Sequence, residues 1–223
     1  GLHREPRGQL AITASMLFGK MYVAPLLLAF LGRYPQVAVR TLFVDRVVNL
    51  IEEGLDVAIR IAELPDSGLT ALRVGSVRRV VCASPDYLAA CGVPHEPGDL
   101  LRHRTIAFRG VTPSTEWVFP GRAGDLAVRP TPRLVVNTAE TAIAAALDGQ
   151  GITRVLSYMI APELAAGRLE IVLAEFEPAP VPIHIMHLEG RRTSARVRAF
   201  VDFAAERLRA DTSINQPSAR CAL

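Results

Sequence analysis

Along the first quarter of the chain, short apolar runs alternate with segments whose apolar residues recur every three or four positions. Short runs of this kind are typical of buried strands, and the longer periodic segments are typical of helices. The pattern predicts, in order, a strand over 9–13, a helix over 20–31, a strand over 37–44, a helix capped by Asp45 and ended by Gly54, and a strand over 55–61. Such alternation favours a parallel sheet covered on both faces, so its strands should be buried.

A second unit with the same alternation follows. Its strands are predicted over 77–83, 105–109, 133–136, 152–156 and 169–173, and its helices over 84–92, 137–149 and 157–166. Ser84 and Pro85 supply an N-cap and an N1 proline for the first of these helices. Asn137 and Glu140 have the spacing of a capping box for the second. Residues 116–119 and 126–129 are predicted to pair as a hairpin.

Three prolines between residues 178 and 182 interrupt this second unit. A strand over 183–188 and a helix over 194–210 come after them. The apolar positions of that helix recur at helical spacing, and they are Val197, Phe200, Val201, Ala204 and Leu208. From Asp211 onward the chain is polar, and we expect a frayed tail.

The helix over 20–31 has almost no polar face. Pro25 lies inside it and predicts either a late start or a kink. A helix that is apolar all round is buried on all sides, in a core or against a second subunit. Because the first helix of a small lobe is rarely wholly interior, we expect it to form a homodimer interface. Its apolar run, 21–31, is only about half of the roughly 20 residues that a membrane span needs.

Composition adds little that is specific. The formal charge is +3, and Lys20 is the only lysine among 25 basic residues. No element combines clustered basic residues with a groove-reading motif, so we expect no DNA binding by these residues themselves. The three cysteines form no pattern of pairs, which favours a reducing cytoplasm. The chain does not open with the pattern of a secretory leader, so we expect none in these residues.

Signatures of catalysis and of metal binding are not found in the sequence. Gly149 and Gly151 resemble half of a dinucleotide fingerprint, but a helix precedes them where a strand is required. His184 and His187 lie three apart on a predicted strand and point to opposite faces, so they cannot chelate one metal ion. We therefore predict no catalytic residue, no metal ligand and no cofactor.

Small polar residues follow the carboxyl ends of three predicted strands. They are Ser15, the pair Asp45 and Arg46, and the pair Asn137 and Thr138. In an open parallel sheet, ligands bind outside these strand ends, where helix N-termini present free N–H groups. One interpretation is that these residues only cap helices. The other is that they line a single ligand-binding cleft, the first two positions from one lobe and the third from the other.

Several segments, in order along nearly the whole chain, resemble a known family. They are 6–10 (PRGQL), 15–19 (SMLFG), 24–27 (APLL), 45–50 (DRVVNL), 53–60 (EGLDVAIR), 79–85 (RVVCASP), 151–154 (GITR), 164–169 (LAAGRL) and 197–202 (VRAFVD). These segments are similar to the effector-binding domain of LysR-type transcriptional regulators, and most of all to the subgroup typified by CrgA. Many members of the wider family have a proline where this chain has Leu156.

The resemblance implies an α/β fold of two Rossmann-like lobes, the type 2 periplasmic-binding-protein fold, joined by two crossover strands. Lobe I would take residues 8–76 and 182–210, and lobe II would take residues 77–181. Residues 1–7 would be the remnant of a linker, and residues 211–223 a flexible tail. The winged helix-turn-helix of the family is not among these residues, so DNA binding would depend on a part of the protein outside them.

The resemblance also implies a small-molecule effector in the interlobe cleft, in many cases an organic or aromatic acid. By position, the residues that border the cleft would be Ser15, Met16, Leu17, Phe18, Asp45, Arg46, Glu63, Phe108, Asn137, Thr138 and Thr153. Effector binding would change how homodimers assemble into tetramers on DNA, in the cytoplasm and without a membrane partner. The alternatives are a free-standing solute-binding protein of a transport system and, third, an enzyme on the same scaffold.

Overall fold

The computed structural model describes residues 5–63, 69–109, 116–188 and 194–215. They form two compact units, each built on one five-stranded sheet. Unit 1 takes the chain up to Ser76 and again from Val181 to Asn215, and unit 2 takes Val77–Pro180. The chain therefore passes between the units twice, once after Ser76 and once after Pro180.

Unit 1 contains a mixed sheet with the strand order β2-β1-β3-β12-β4. Its strands are β1 (Gly8–Ala14), β2 (Val37–Phe43), β3 (Val57–Ile61), β4 (Leu69–Val77) and β12 (Val181–Leu188). β1 runs parallel to β2 and to β3, and β12 runs antiparallel to β3. Because β1, β2 and β3 are adjacent and parallel, their carboxyl ends lie side by side at one edge of the sheet.

One continuous helix follows β1. It consists of α1 (Met16–Phe18), a π-helical turn over Gly19–Val23 and α2 (Ala24–Arg33). The irregularity predicted at Pro25 takes the form of this π-helical turn, which ends just before the proline. α2 packs on the last helix, α6 (Ala195–Ala210). The ring of Phe30 contacts the rings of Phe200 and Phe203 edge-on, with centroids 5.3 and 5.4 Å apart.

By length and composition alone, the helix Met16–Arg33 could cross a membrane, because it is longer than the apolar run 21–31 within it. Core helices pass the same test, and Leu26, Leu27 and Phe30 are buried. The opposite face of α2 is open in this chain, where Leu28 is 73% exposed. The helix is thus a core helix on one face, and a dimer contact on the other stays a prediction.

Unit 2 contains a second mixed sheet, with the strand order β11-β5-β10-β6-β9. Its strands are β5 (Arg79–Ala83), β6 (Thr105–Phe108), β9 (Leu134–Val136), β10 (Ile152–Leu156) and β11 (Glu170–Val172). The central strand β10 runs parallel to β6 and antiparallel to β5, and β6 runs parallel to β9. The carboxyl ends of β6, β9 and β10 therefore share one edge.

Helices and a hairpin complete unit 2. The helices are α3 (Pro85–Cys91), α4 (Ala139–Leu147) and α5 (Ala161–Ala165), with 3-10 turns over Pro97–Arg102, Ser157–Ile160 and Ala174–Phe176; a further 3-10 turn in unit 1 covers Thr212–Ile214. The predicted hairpin is confirmed as β7 (Trp117–Phe119) paired with β8 (Leu126–Val128). It inserts Trp117, Phe119 and Val128 into the core of the unit.

Several local helix signals in the sequence are confirmed by the structure. Ser84 accepts a hydrogen bond from the Tyr87 backbone N–H at 3.3 Å and begins α3 as predicted. Ser194 accepts from the Val197 N–H at 3.4 Å and begins α6. All five positions of the predicted apolar stripe on α6 are buried.

Two expectations for unit 1 are wrong, and one of its strands was not predicted. Residues 45–54 form an irregular segment with a turn, and no helix. β2 lies at the edge of the sheet, so most of its residues are partly or fully exposed and Val37 alone is buried. β4 was not predicted at all, because Arg73 and Gly75 interrupt its apolar pattern.

Candidate functional site

Two of the predicted site residues meet where the first helix begins. Ser15 directly follows β1, and Asp45 lies two residues after β2. The backbone N–H of Met16 donates a hydrogen bond to Asp45 Oδ1 at 2.9 Å. Asp45 therefore caps the helix after β1 and not, as predicted, a helix of its own segment. Ser15 Oγ is buried and finds no hydrogen-bond partner in the part of the chain that the structure describes.

The next three predicted site residues differ in how far their side chains are exposed to solvent, and so to a ligand. Met16 is 45% exposed, whereas Leu17 and Phe18 are buried. The ring of Phe18 stacks on that of Tyr22, with centroids 4.9 Å apart. Of the three, Met16 has the side chain that solvent can reach, and the other two belong to the core of unit 1.

Arg46 is held by an acidic neighbour seven residues along the chain. Its Nη1 and Nη2 donate to the two carboxylate oxygens of Glu53, at 2.6 and 2.9 Å. This hydrogen bonding lowers the pKa of Glu53 and raises that of Arg46. The positive charge of Arg46 is thus balanced within unit 1.

Arg60 lies at the same edge of the sheet, although it was not predicted as a site residue. Its Nη1 donates to the carbonyl oxygen of Val44 at 2.9 Å, and its Nη2 donates to Thr13 Oγ1 at 2.8 Å. The guanidinium thus reaches from β3 across β1 to the end of β2. We call Thr13, Ser15, Asp45 and Arg60 the strand-end cluster.

Arg60 is the positively charged member of this cluster. No carboxylate of the described residues lies within salt-bridge distance of Arg60. Burial lowers the pKa of Arg60, with the charge of Asp45 acting in the opposite direction. The one available signal in the sequence was an arginine inside an apolar strand, near the end where ligands bind.

In unit 2, Phe108, Asn137 and Thr138 lie at adjacent strand ends. Phe108 ends β6 and pairs in register with Val136, which ends β9. Thr138 Oγ1 accepts a hydrogen bond from the Thr141 N–H at 3.4 Å and so caps α4. The predicted capping box from Asn137 is therefore wrong, because α4 begins at Ala139 and Thr138 occupies the cap position. Asn137 is exposed.

The two remaining predicted residues are placed differently. Thr153 is fully buried on β10, and its hydroxyl donates to the carbonyl oxygen of Ile106 at 3.1 Å. Its hydrogen-bonding capacity thus serves the packing of β10 on β6. Glu63 is exposed, two residues beyond the end of β3. Their roles toward a ligand stay predictions. Within the described ranges, no group of three His, Cys, Asp or Glu residues could hold a metal ion.

The family of the chain follows from its similarity to known proteins. A family model described as the LysR substrate binding domain matches residues 3–209. The chain belongs to this family. Its members are effector-binding domains of LysR-type transcriptional regulators, and they have the two-lobed type 2 periplasmic-binding-protein fold.

Two curated relatives of this LysR-type domain are named as transcriptional regulators. The HTH-type transcriptional regulator PtxR of Pseudomonas aeruginosa is 31% identical over 207 residues, which are 93% of this chain and 66% of PtxR. The HTH-type transcriptional regulator DmlR of Escherichia coli is 34% identical over 199 residues, 89% of this chain and 64% of DmlR. The chain thus spans about two thirds of the length of these relatives.

A solved structure is similar to most of the LysR-type domain. The regulatory domain of CrgA, a LysR-type transcriptional regulator from Neisseria meningitidis, has a TM-score of 0.80 and 29% identity. The match covers 91% of this chain and 100% of the CrgA domain. The resemblance to the CrgA subgroup and the predicted fold class are therefore confirmed.

Proposed function

We propose that this domain senses a small organic acid for a LysR-type transcriptional regulator and has no catalytic activity. The observation that carries the proposal is the strand-end cluster of unit 1, where polar groups from three strands converge at the edge of an α/β sheet. Ligands bind at such edges because side chains from several strands and a helix N-terminus come together there. Phe108, Asn137 and Thr138 would contribute from unit 2.

An acid is the effector class that the charges favour. The charge of Arg46 is balanced by Glu53, whereas the described residues that accept hydrogen bonds from Arg60 are the neutral oxygens of Val44 and Thr13. A partly buried guanidinium bonded to neutral groups gains most from a carboxylate, through charge-assisted hydrogen bonds. Arg60 is therefore the residue that we expect to bind the effector's negative charge.

The output would be a change in assembly on DNA. We propose that the regulator forms homodimers that associate as tetramers, with the exposed face of α2, around Leu28, as one contact. DNA would be bound by a separate region of the regulator, which corresponds to the part of the relatives that this chain does not cover. The regulator would act in the cytoplasm. A free-standing solute-binding protein is disfavoured, because the curated relatives named above are transcriptional regulators.

The proposal is tested by thermal unfolding of the chain against a panel of aliphatic and aromatic acids, with neutral sugars as controls. A ligand that binds only the folded state raises its stability by RT ln(1 + [L]/Kd). We expect at least one acid to raise the midpoint of unfolding and no sugar to do so. Stabilisation by the sugars and by none of the acids would contradict the assignment of an acidic effector.

Arg46→Ala and Thr138→Val are predicted to weaken binding of that acid several-fold. Arg46→Ala should leave the fold intact, because the Arg46 side chain is 59% exposed and surface pairs contribute little. Thr138→Val should also lower the free energy of unfolding by about 1 kcal/mol, because α4 loses its cap. Thr138→Ser keeps the cap and is the matched control. Unchanged affinity in both variants, measured by calorimetric titration, would remove these residues from the site.

A further inference from the structure

The chain passes between the two units through two short connections that differ in composition. The first runs through Ser76, Val77 and Arg78 and contains no proline. The second covers residues 177–182, with the sequence Glu-Pro-Ala-Pro-Val-Pro. Because peptide bonds are planar, any change in the arrangement of the units has to take place in the backbone torsions φ and ψ of these two segments.

Every residue of the second connection has a restricted backbone. Positions 178, 180 and 182 are prolines, whose ring fixes φ at about −65°. Each of the other three positions precedes a proline, which confines it to extended conformations. Glu177, for example, has φ −59° and ψ 134°, close to polyproline II. Proline-rich segments of this kind are semi-rigid spacers, and we call residues 177–182 the proline strut.

Both ends of the proline strut are bonded to the unit that they adjoin. At its start, Arg78 Nη1 donates to both carboxylate oxygens of Glu177 within unit 2, at 2.8 and 3.1 Å. At its end, Pro182 is buried, and its carbonyl oxygen accepts the N–H of Ala62 in unit 1 at 3.1 Å. The strut therefore joins a fixed point in one unit to a fixed point in the other.

The first connection is held on both sides within three residues. In unit 1, the Ser76 N–H donates to Asn215 Oδ1 at 3.3 Å, and the Asn215 amide is fixed in turn by two carbonyl oxygens at the end of α6, at 3.1 and 2.9 Å. In unit 2, the Arg78 N–H donates to Ser157 Oγ at 3.1 Å. The Arg78 carbonyl oxygen accepts the Ser157 N–H at 2.8 Å. Between the two bonded N–H groups lie only the φ and ψ torsions of Ser76 and Val77.

We propose that the two connections have unequal roles, with Ser76 and Val77 as the hinge and the proline strut as the part that limits rotation about it. Neither hinge residue is a proline or precedes one, so their torsions change freely compared with those of the strut. A stiff second connection allows the hinge a narrow range of rotation. The units are thereby restricted before any ligand binds, and such preorganisation lowers the conformational cost of binding. The inference goes beyond the proposed function, because the restraint lies in the backbone and does not depend on the effector.

Residual dipolar couplings of the backbone amides, measured on the ligand-free chain in a weakly aligning medium, test the strut. Each unit reports its own alignment, and motion between the units makes the two alignments unequal. We expect equal alignment in the unaltered chain and an about twofold difference in Pro178→Gly/Pro180→Gly, because glycine makes the segment a flexible linker. Pro178 and Pro180 are partly exposed, so the fold of each unit should persist.

A second pair of prolines provides the matched control. Pro130 and Pro132 are also separated by one residue, but they lie within unit 2. Pro130→Gly/Pro132→Gly should leave the two alignments equal. Unequal alignment in the unaltered chain, or equal alignment in the Pro178→Gly/Pro180→Gly variant, would overturn the strut. Either result leaves the assignment of an acidic effector untouched, since the samples contain no ligand.

Amide ¹⁵N relaxation of the same samples locates the hinge. In Pro178→Gly/Pro180→Gly, we expect the order parameters of Ser76 and Val77 to fall, while that of Arg78, held by Ser157, stays at the value of the unit 2 core. Adding Asn215→Ala should extend the fall to Gly75, because the bond that holds Ser76 in unit 1 is lost. Unchanged order parameters at Ser76 and Val77, in a variant whose two alignments differ, would show that the hinge lies elsewhere.

Discussion

Replacing Arg78 with methionine is expected to lower the free energy of unfolding by about 3 to 5 kcal/mol at pH 7. Arg78 Nη1 donates to both carboxylate oxygens of Glu177, at 2.8 and 3.1 Å. The Glu177 side chain is only 2% exposed and that of Arg78 only 13% exposed. Without the guanidinium, a negative charge would stay buried and unpaired, which is the costly way to break such a pair.

The pH dependence of this loss gives a second readout. Burial raises the pKa of Glu177, and the charge of Arg78 acts in the opposite direction. In Arg78→Met only the raising effect remains, so the folded protein binds a proton more tightly than the unfolded chain does. The free energy of unfolding then falls as pH rises through the window above the ordinary carboxyl value. The loss should therefore be large at pH 7 and should shrink as the pH is lowered toward 4.5.

Urea unfolding at pH 5 and pH 7 measures both effects. The control is Arg129→Met, which breaks the more exposed pair of Arg129 with Glu116 and should cost at most about 1 kcal/mol. Adding Glu177→Gln to Arg78→Met should remove the pH dependence, since no titrating group is left at the position. An Arg78→Met variant as stable as Arg129→Met at pH 7 would show that the buried pair does not stabilise unit 2.

Arg78 and Glu177 both lie close, along the chain, to the points where it passes between the units. Arg78 lies two residues after the chain leaves unit 1, and Glu177 lies four residues before it returns. The backbone of Arg78 is also bonded to Ser157, which donates its N–H to the Arg78 carbonyl oxygen at 2.8 Å. Both connections between the units are therefore anchored to unit 2 at their ends, next to the points where the chain crosses.

Most of the fold could be predicted because its signals are local. The stripe on α6 and the Ser84 cap of α3 depend on residues within a few positions of each other, and both were correct. The predicted helix after Asp45 failed because its cap residue is used elsewhere. The Asp45 carboxylate accepts a hydrogen bond from the Met16 N–H, which is 29 residues away in the chain. A local sequence pattern does not show which of two distant helix starts Asp45 caps.

The candidate site was predicted only in part, for the same reason. Ser15, Asp45 and Thr138 were found because they follow strands, which is a property of their sequence positions. Arg60 was not included, because its hydrogen bonds to Thr13 and Val44 depend on the pairing of β1 with β2 and with β3. Thr13 and Val44 lie 47 and 16 residues from Arg60 in the chain, so a local sequence pattern does not show that they are neighbours.

The second large effect is expected for Gly151→Ala, at about 2 to 6 kcal/mol of lost stability. Gly151 has a φ of +152°, which favours glycine, and imposing such a conformation on another residue costs about 1 to 3 kcal/mol. A Cβ atom would also lie 2.4 Å from the carbonyl oxygen of Arg104, and such crowding costs about 1 to 3 kcal/mol more. That oxygen accepts the Ile152 N–H at 2.9 Å, so relieving the clash would break the start of the central strand β10.

Two other glycines separate strain from crowding. Gly149 has a φ of +71°, but its nearest neighbour would be Ser84 Oγ at 3.8 Å, so Gly149→Ala should cost only about 1 to 2 kcal/mol. Gly32 lies in α2 with nothing within 4 Å, and Gly32→Ala should raise stability by about 0.5 to 1 kcal/mol. In urea unfolding, we expect the largest loss of stability for Gly151→Ala, a smaller loss for Gly149→Ala and a gain for Gly32→Ala. Equal losses for Gly149→Ala and Gly151→Ala would mean that strain alone requires glycine, and that the approach to Arg104 does not fix the position of β10.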